Sequence, residues 1–254
     1  MRPLELTGSG IAASVAVFVV AAVCVRLGFW QLDRRQERLE RNAAVTERMA
    51  EPPVALVGPP VDTAGLTYRR ARTRGRYDNP RALVLAGRSL AGAPGVHVLS
   101  PLLIAEGALL VNRGWLPSRD AASADLDAVA VDTPVAVSGV LLPLPRAEGV
   151  APGEGFRTTW FRVDAEAIRS QYPYAVSPLY LQVAAPESET GARAAAAGAT
   201  GPVPLPPPLL DAGPHLSYAL QWFSFAVIFV VGWAALVIRG GRPGGEGAGT
   251  TPAA

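Results

Sequence analysis

From Leu216 to Ile238 the chain carries no formally charged side chain, and Arg239 ends the run. At about 1.5 Å of rise per residue, roughly 20 apolar residues cross a hydrocarbon core about 30 Å thick, so this stretch is long enough to span a membrane. A second apolar run lies near the other end. Ile11 to Val25 is interrupted only by Ser14, and Leu27, Gly28, Phe29 and Trp30 bring it to spanning length if Arg26 reaches back to the interface. A cleaved secretory signal or a lipoprotein leader at Cys24 fits less well than an uncleaved anchor. No small-x-small site follows the run, and bulky Val23 precedes Cys24.

The polar lip of the later run holds a second constraint. His215, Tyr218, Trp222, Phe225 and Phe229 recur at steps of three or four, so a helix carries all five along one stripe. Tyr and Trp favour the headgroup level, which makes an interfacial aromatic belt one reading. A neutral imidazole also binds metals and haem iron, and flat rings can flank a macrocycle, which makes His215 a candidate metal ligand with Tyr218 and Trp222 beside it.

The first run continues past Trp30 as a charged helix. Leu32, Leu39 and Ala43 share one face, Glu37 stands four residues before Arg41, and Glu51-Pro52-Pro53 stops the pattern. Charge alone leaves the orientation open. Arg34, Arg35, Arg38 and Arg41 follow the first run, which places the middle of the chain in the cytoplasm. Arg239 and Arg242 follow the second, which places it outside.

Between the runs, short apolar segments alternate with turn residues. Leu66 to Tyr77 alternates in part and breaks at Asp78-Asn79-Pro80. Ala82–Leu85, Gly95–Leu99, Ala108–Val111, Val135–Leu142 and Leu179–Val183 read as further strands, with a tight hairpin at Glu106-Gly107. A short helix begins at Asp164 and ends at Pro173. The expected fold is a membrane protein in which two transmembrane α-helices flank a mostly antiparallel-β, α+β, barrel-like extramembrane domain. The chain then divides into a tail over 1–10, a transmembrane helix over 11–30, a helical extension over 31–51, the β-rich domain over 54–185, an Ala/Pro-rich linker over 186–213, a transmembrane helix over 216–238 and a disordered tail over 239–254.

Composition excludes several functions. A net charge of +2, with no basic run interleaved with aromatics, argues against nucleic-acid binding. All 23 basic residues are Arg, a mark of a GC-rich bacterial genome. The single cysteine, Cys24, rules out an intramolecular disulfide and a two-thiol metal site within the chain. No Gly-x-Ser-x-Gly elbow, His-Glu-x-x-His pair or Walker loop is present, so the chain is not expected to be an enzyme. Asp120, Asp125, Asp127 and Asp132 lack the spacing of a calcium loop and read as surface charge. His97 alternates with Val96 and Val98 and is expected to face solvent. In Leu110 to Pro117, Gly114 permits an unusual turn that folds Trp115 over the sheet. Arg113 either pairs locally or holds a propionate or an acidic partner.

Several motifs in fixed order carry a resemblance. Leu27-Gly28-Phe29-Trp30-Gln31-Leu32 with Arg34, Tyr68-Arg69 leading to Gly75-Arg76-Tyr77-Asp78, Gly95 to Pro101, Val111-Asn112-Arg113-Gly114-Trp115 and His215 to Trp222 together resemble the Surfeit locus protein 1 family of cytochrome c oxidase assembly factors. The resemblance implies a multi-pass protein of the bacterial plasma membrane with its central domain extracytoplasmic and both termini cytoplasmic. It implies aid in haem a delivery or insertion into the core subunit of a haem-copper oxidase, with haem a bound transiently and His215 the suggested ligand. Expected partners are that core subunit, haem a synthase or a respiratory supercomplex, and membrane lipid. The alternative is a membrane scaffold that binds no haem and stabilises oxidase or supercomplex intermediates. Tyr68, Arg69, Arg113, Gly114 and Trp115 are then structural or partner-binding motifs.

Overall fold

The computed structural model describes residues 8–146, 155–183, 201–208 and 210–240. Most of the 1–10 tail, most of the Ala/Pro-rich linker and the tail beyond Gly240 lie outside the described residues. The chain separates into two units, one comprising 1–43 with 211–254 and the other 44–210.

The first unit is a pair of helices. Helix α1 runs unbroken over Gly8–Ala50, its last turns belonging to the second unit, and helix α3 covers His215–Gly240. Both are long and apolar enough to cross a membrane. Only 11% and 6% of their most apolar stretches are buried, so their apolar side chains face outward, as lipid-facing residues do. What the helices bury lies between them. Ala21 and Cys24 pack against Ala226, with Trp222 beside them. The Phe223 ring occupies the space that a Cβ at Gly28 would take and meets Phe29 edge-on at 5.4 Å. Phe18 meets Trp233 edge-on at 4.9 Å, and the Trp233 indole N–H donates to Ser14 Oγ at 3.0 Å. Small residues and polar contacts such as this one thus set the approach, as expected where lipid supplies no driving force between helices.

The second unit is a strand-rich domain. Its strands are β1 (Val54–Leu56), β2 (Arg70–Tyr77), β3 (Leu83–Leu90), β4 (Ala93–Ile104), β5 (Gly107–Pro117), β6 (Val135–Pro143), β7 (Thr159–Trp160) and β8 (Ala175–Val183). Helix α2 (Ala165–Ser170) precedes β8. Five strands close on themselves in the order β2-β6-β8-β5-β4, and Tyr77 pairing with Leu102 returns β4 to β2. Closure removes the open edges of these five strands. Strand β3 extends β4 outside this ring, β7 pairs with β3, and β1 pairs with β2.

The alternation in β2 shows how sequence sets the barrel wall. Ala71, Thr73 and Tyr77 are buried, while Arg70, Arg72, Arg74 and Arg76 are exposed. Inside the ring, Ala71, Tyr77, Leu102, Ile104, Leu109, Val111, Leu141, Leu179 and Leu181 form one cluster. The opposite face is also covered, because Leu83, Leu85, Leu99, Ala108 and Leu110 pack against Ile168 of α2 and against Trp160 and Tyr172. This double coverage explains the uninterrupted apolar run Ala108–Val111, whose members alternate between the two clusters. Asp164 caps α2 by accepting from the Ala167 amide at 2.8 Å.

Two findings differ from expectation. Val203 and Leu205, inside the segment assigned to a linker, are buried against Trp115, and Val203 exchanges two 2.7 Å backbone hydrogen bonds with it. Compositional bias toward Ala, Gly and Pro hid these two apolar anchors. His97 does not face open solvent: it is half-buried in a cavity bounded by Leu85, Leu99, Leu144 and Val163. The face that it shares is the one covered by α2 and the chain around it.

Candidate functional site: the lip of the helix pair

The chain enters α3 through a turn that needs glycine. Gly213 has φ 68°, in the left-handed region, and its amide donates to Asp211 Oδ1 at 3.2 Å. Pro214 O then accepts from the Tyr218 amide and from Ser217 Oγ, which fixes the first helical turn. His215 is the first residue of α3, held at the lip.

Its ring is oriented from α1. His215 Nδ1 lies 2.8 Å from Gln31 Oε1. A carbonyl oxygen only accepts, so with Gln31 in this orientation Nδ1 carries a proton, and in the neutral ring Nε2 then holds the lone pair. A Cβ at position 213 would lie 3.3 Å from His215 Cδ2, 3.5 Å from Nε2 and 2.7 Å from Arg38 Nη1. Glycine at this position therefore leaves room for Arg38 and for the His215 ring. Arg38 stands 3.8 Å from Asp211, and the Asn42 side-chain amide donates to Asp211 O at 2.8 Å. Gln31, Arg38 and Asn42 are spaced seven and four apart, so one face of α1 presents all three.

Below the lip, the two helices leave a cleft of about 510 Å³. Val19, Val20, Val23, Cys24 and Leu27 line it from α1, and Trp222, Phe225, Ile228 and Phe229 from α3. Three members of the aromatic stripe thus border one apolar space, and Trp222 meets Phe225 edge-on at 5.9 Å. Tyr218 is 48% exposed and is not part of this lining. Gln31, Arg38, Asn42, Asp211 and Gly213 were not singled out as site residues from sequence. The polar spacing 31, 38, 42 on a helix leaving the membrane was the available signal.

The other motif residues lie in the barrel. Arg113 is the extra residue of a β-bulge, since Val98 pairs with Gly114 while Leu99 pairs with Asn112. Gly114 has φ 129°, and the backbone of Val203 occupies the place of a Cβ there. The Arg113 guanidinium lies 4.9 Å over the Tyr77 ring. Burial raises Tyr77 from its ordinary value and keeps it a neutral phenol; it lowers Arg113, but a guanidinium remains charged, so the pair is a cation over a neutral ring. Trp115 is 2% exposed. Tyr68, at φ 66°, donates its amide to Leu141 O at 2.8 Å, and Arg69 bonds Glu51 at 2.7 Å and Pro52 O at 3.1 Å. These contacts tie β2 to β6 and to the end of α1. Asp120 and Asp125 accept backbone amides within their own turns, and the hydrogen bonds from Ser118 and Ser123 hold Asp120 well below the usual carboxylate range.

The model of the SURF1 family matches residues 18–227, from within α1 to within α3. The chain belongs to the SURF1 family. Among similar proteins, a SURF1-like protein of Monosiga brevicollis is 25% identical over 243 residues, covering 91% of this chain and 89% of that one. The Surfeit locus protein 1 of Takifugu rubripes is 24% identical, covering 88% and 96%. A SURF1-like protein of Rickettsia felis is 21% identical, covering 86% and 93%. The likeness therefore takes in the barrel and both spans. SURF1 proteins are known as cytochrome oxidase assembly factors.

Proposed function

We propose that this SURF1-family protein is a non-enzymatic assembly factor that aids haem a delivery or insertion into the core subunit of cytochrome c oxidase, with His215 as a ligand to the haem iron. The observation that carries the reading is the Gln31–His215 hydrogen bond, which engages Nδ1 and leaves Nε2 of the neutral ring as the nitrogen that can bind iron. A second group that fixes ring orientation and tautomer is the usual support of a ligating histidine.

The donor set also fits haem better than a bare ion. Among the described residues no three His, Cys, Asp or Glu side chains converge. One imidazole would be enough to hold a haem iron, whereas a zinc ion takes three or four protein ligands. When bound, haem a supplies the redox-active iron for the oxidase. The chain's own residues do the rest: His215 would hold the iron, Trp222, Phe225 and Phe229 would offer apolar ring surface, and Arg38 would stand near an acidic group at the lip.

In this reading α1 and α3 lie in a bacterial plasma membrane, with the barrel extracytoplasmic and both termini cytoplasmic. Arg239 in the last turn of α3, against a segment from Pro202 to Ser217 without Lys or Arg, supports that orientation. A domain as long as the barrel translocates largely regardless of the arginines that precede it.

The test is complementation in an oxidase-forming strain that lacks this protein. Wild-type chain should restore the haem a content of the oxidase core subunit, and His215→Ala at equal membrane level should not. Full restoration by His215→Ala would remove the ligand role and leave a scaffold that binds no haem.

A further inference from the structure

A second site candidate lies in the barrel domain, on the face covered by α2. Four strands contribute side chains to it through register alone. Leu85 of β3 pairs with His97 of β4, Leu99 of β4 pairs with Asn112 of β5, and Asn112 pairs with Gln182 of β8, two residues from Tyr180. The irregularity between Leu85 and Arg88 in β3 brings Arg88 to the same place. These residues, closed over by Leu144, Pro145 and Val163, surround a cavity of about 210 Å³.

The polar content of this cavity is unbalanced. Among the described residues no carboxylate pairs with Arg88, and its Nε, shielded from solvent, has no hydrogen-bond partner. No acidic side chain lines the space. His97 cannot be the counter-charge, because an imidazole is neutral or cationic; burial, and then Arg88, lower it to about 4 and keep it neutral at physiological pH. Burial likewise raises Tyr180, so its hydroxyl remains a donor. Asn112 already uses its side-chain oxygen on the Gly114 amide, and Gln182 its side-chain NH2 on Pro206 O. A partly buried cation surrounded by neutral groups is a costly arrangement unless an anion joins it.

We propose that this cavity binds a small monocarboxylate, its carboxylate on the Arg88 guanidinium and its apolar body against Leu85, Leu99, Leu144 and Val163. A single guanidinium matches one negative charge and presents the planar fork that a carboxylate accepts in two parallel bonds. Phosphate carries more charge than the site offers, and it would leave the leucine and valine walls facing a hydrated ion. The site is independent of the helix pair and of its proposed haem ligand.

Calorimetric titration of the full chain in a non-ionic detergent at pH 7 tests this, with benzoate as the probe and benzamide and inorganic phosphate as separate arms. Benzoate should bind saturably, with benzamide and phosphate at least tenfold weaker. Arg88→Leu should weaken benzoate at least tenfold while its unfolding midpoint without carboxylate stays level or rises, because an unpaired cation has been removed. Tyr180→Phe, which keeps the ring, should weaken benzoate severalfold and decides the matter if Arg88→Leu fails to fold. Absence of saturable benzoate binding, equal affinity for benzamide or phosphate, or unchanged affinity in both variants would overturn the proposal.

Discussion

In the barrel, Leu109, Leu141 and Leu181 are fully buried among one another, whereas in the helix pair Val15, Val19, Leu220 and Ile228 are more than half exposed although equally apolar. The barrel closes its own hydrogen-bond ladder and packs both faces of its central strands. The helices satisfy their backbones internally but leave their side chains for a solvent that is not water. The barrel's stability is therefore written in chain–chain contacts, and substitutions there report packing. The helix pair meets along a narrow seam and leaves a cleft beside it, so substitutions there report fit between two surfaces. A transient site belongs more naturally on the second kind of structure, where opening costs little.

Predictions that separate the two regions follow that order of cost. Trp115→Ala empties the contact with Val203 and Leu205 and should destabilise the barrel by about 3–5 kcal/mol in denaturant titration. A loss under about 1 kcal/mol would mean that the Pro-rich segment is not part of the barrel's core. His97 gives the barrel a pH dependence. Its folded-state value of about 4 lies below the ordinary 6.5, so the unfolded chain takes up a proton that the folded one refuses. Stability from this source is complete above about pH 6.5 and falls as pH drops toward about 4, by at most about 3 kcal/mol given the partial exposure of the ring. His97→Gln should flatten that slope between pH 7 and pH 4.5, and an unchanged slope would assign it to other groups.

The helix pair should respond differently. Gly28→Val puts a side chain where the Phe223 ring lies and should cost about 1–3 kcal/mol of packing. Cys24, buried at 4% exposure against Ala226, reports it: its labelling by a thiol reagent should quicken severalfold, with the barrel's unfolding transition unmoved. Unchanged labelling would show that the seam does not depend on that approach. The smallest effect is local to α2, where Asp164→Ala should cost about 1 kcal/mol by removing the helix cap.

Local rules made much of this legible from sequence. The alternation of Arg with small and aromatic residues in β2, the Asp164 cap and the two apolar runs each depend on neighbours a few residues away. What stayed hidden depends on distant ones. His97 seemed to face water because Val96 and Val98 define one buried face, but Leu144 and Val163, far along the chain, cover the other. Val203 and Leu205 disappeared in a Pro-rich composition whose average conceals two well-placed side chains. At the lip, His215 stood out by residue type, while Gln31 is 184 positions away, and nothing in the local pattern of either couples them. Arg38 was hidden for the same reason, since it comes close to the turn before His215 only through the fold.

The most direct measurement is the visible absorption spectrum of the detergent-purified chain, made with and without haem a synthesis in the host, alongside His215→Ala. The helix-pair account predicts a Soret band that requires both the haem supply and His215, with the barrel's unfolding unchanged in the variant. A band of equal intensity in His215→Ala, or none in the wild type while oxidase subunits still co-purify, would contradict it.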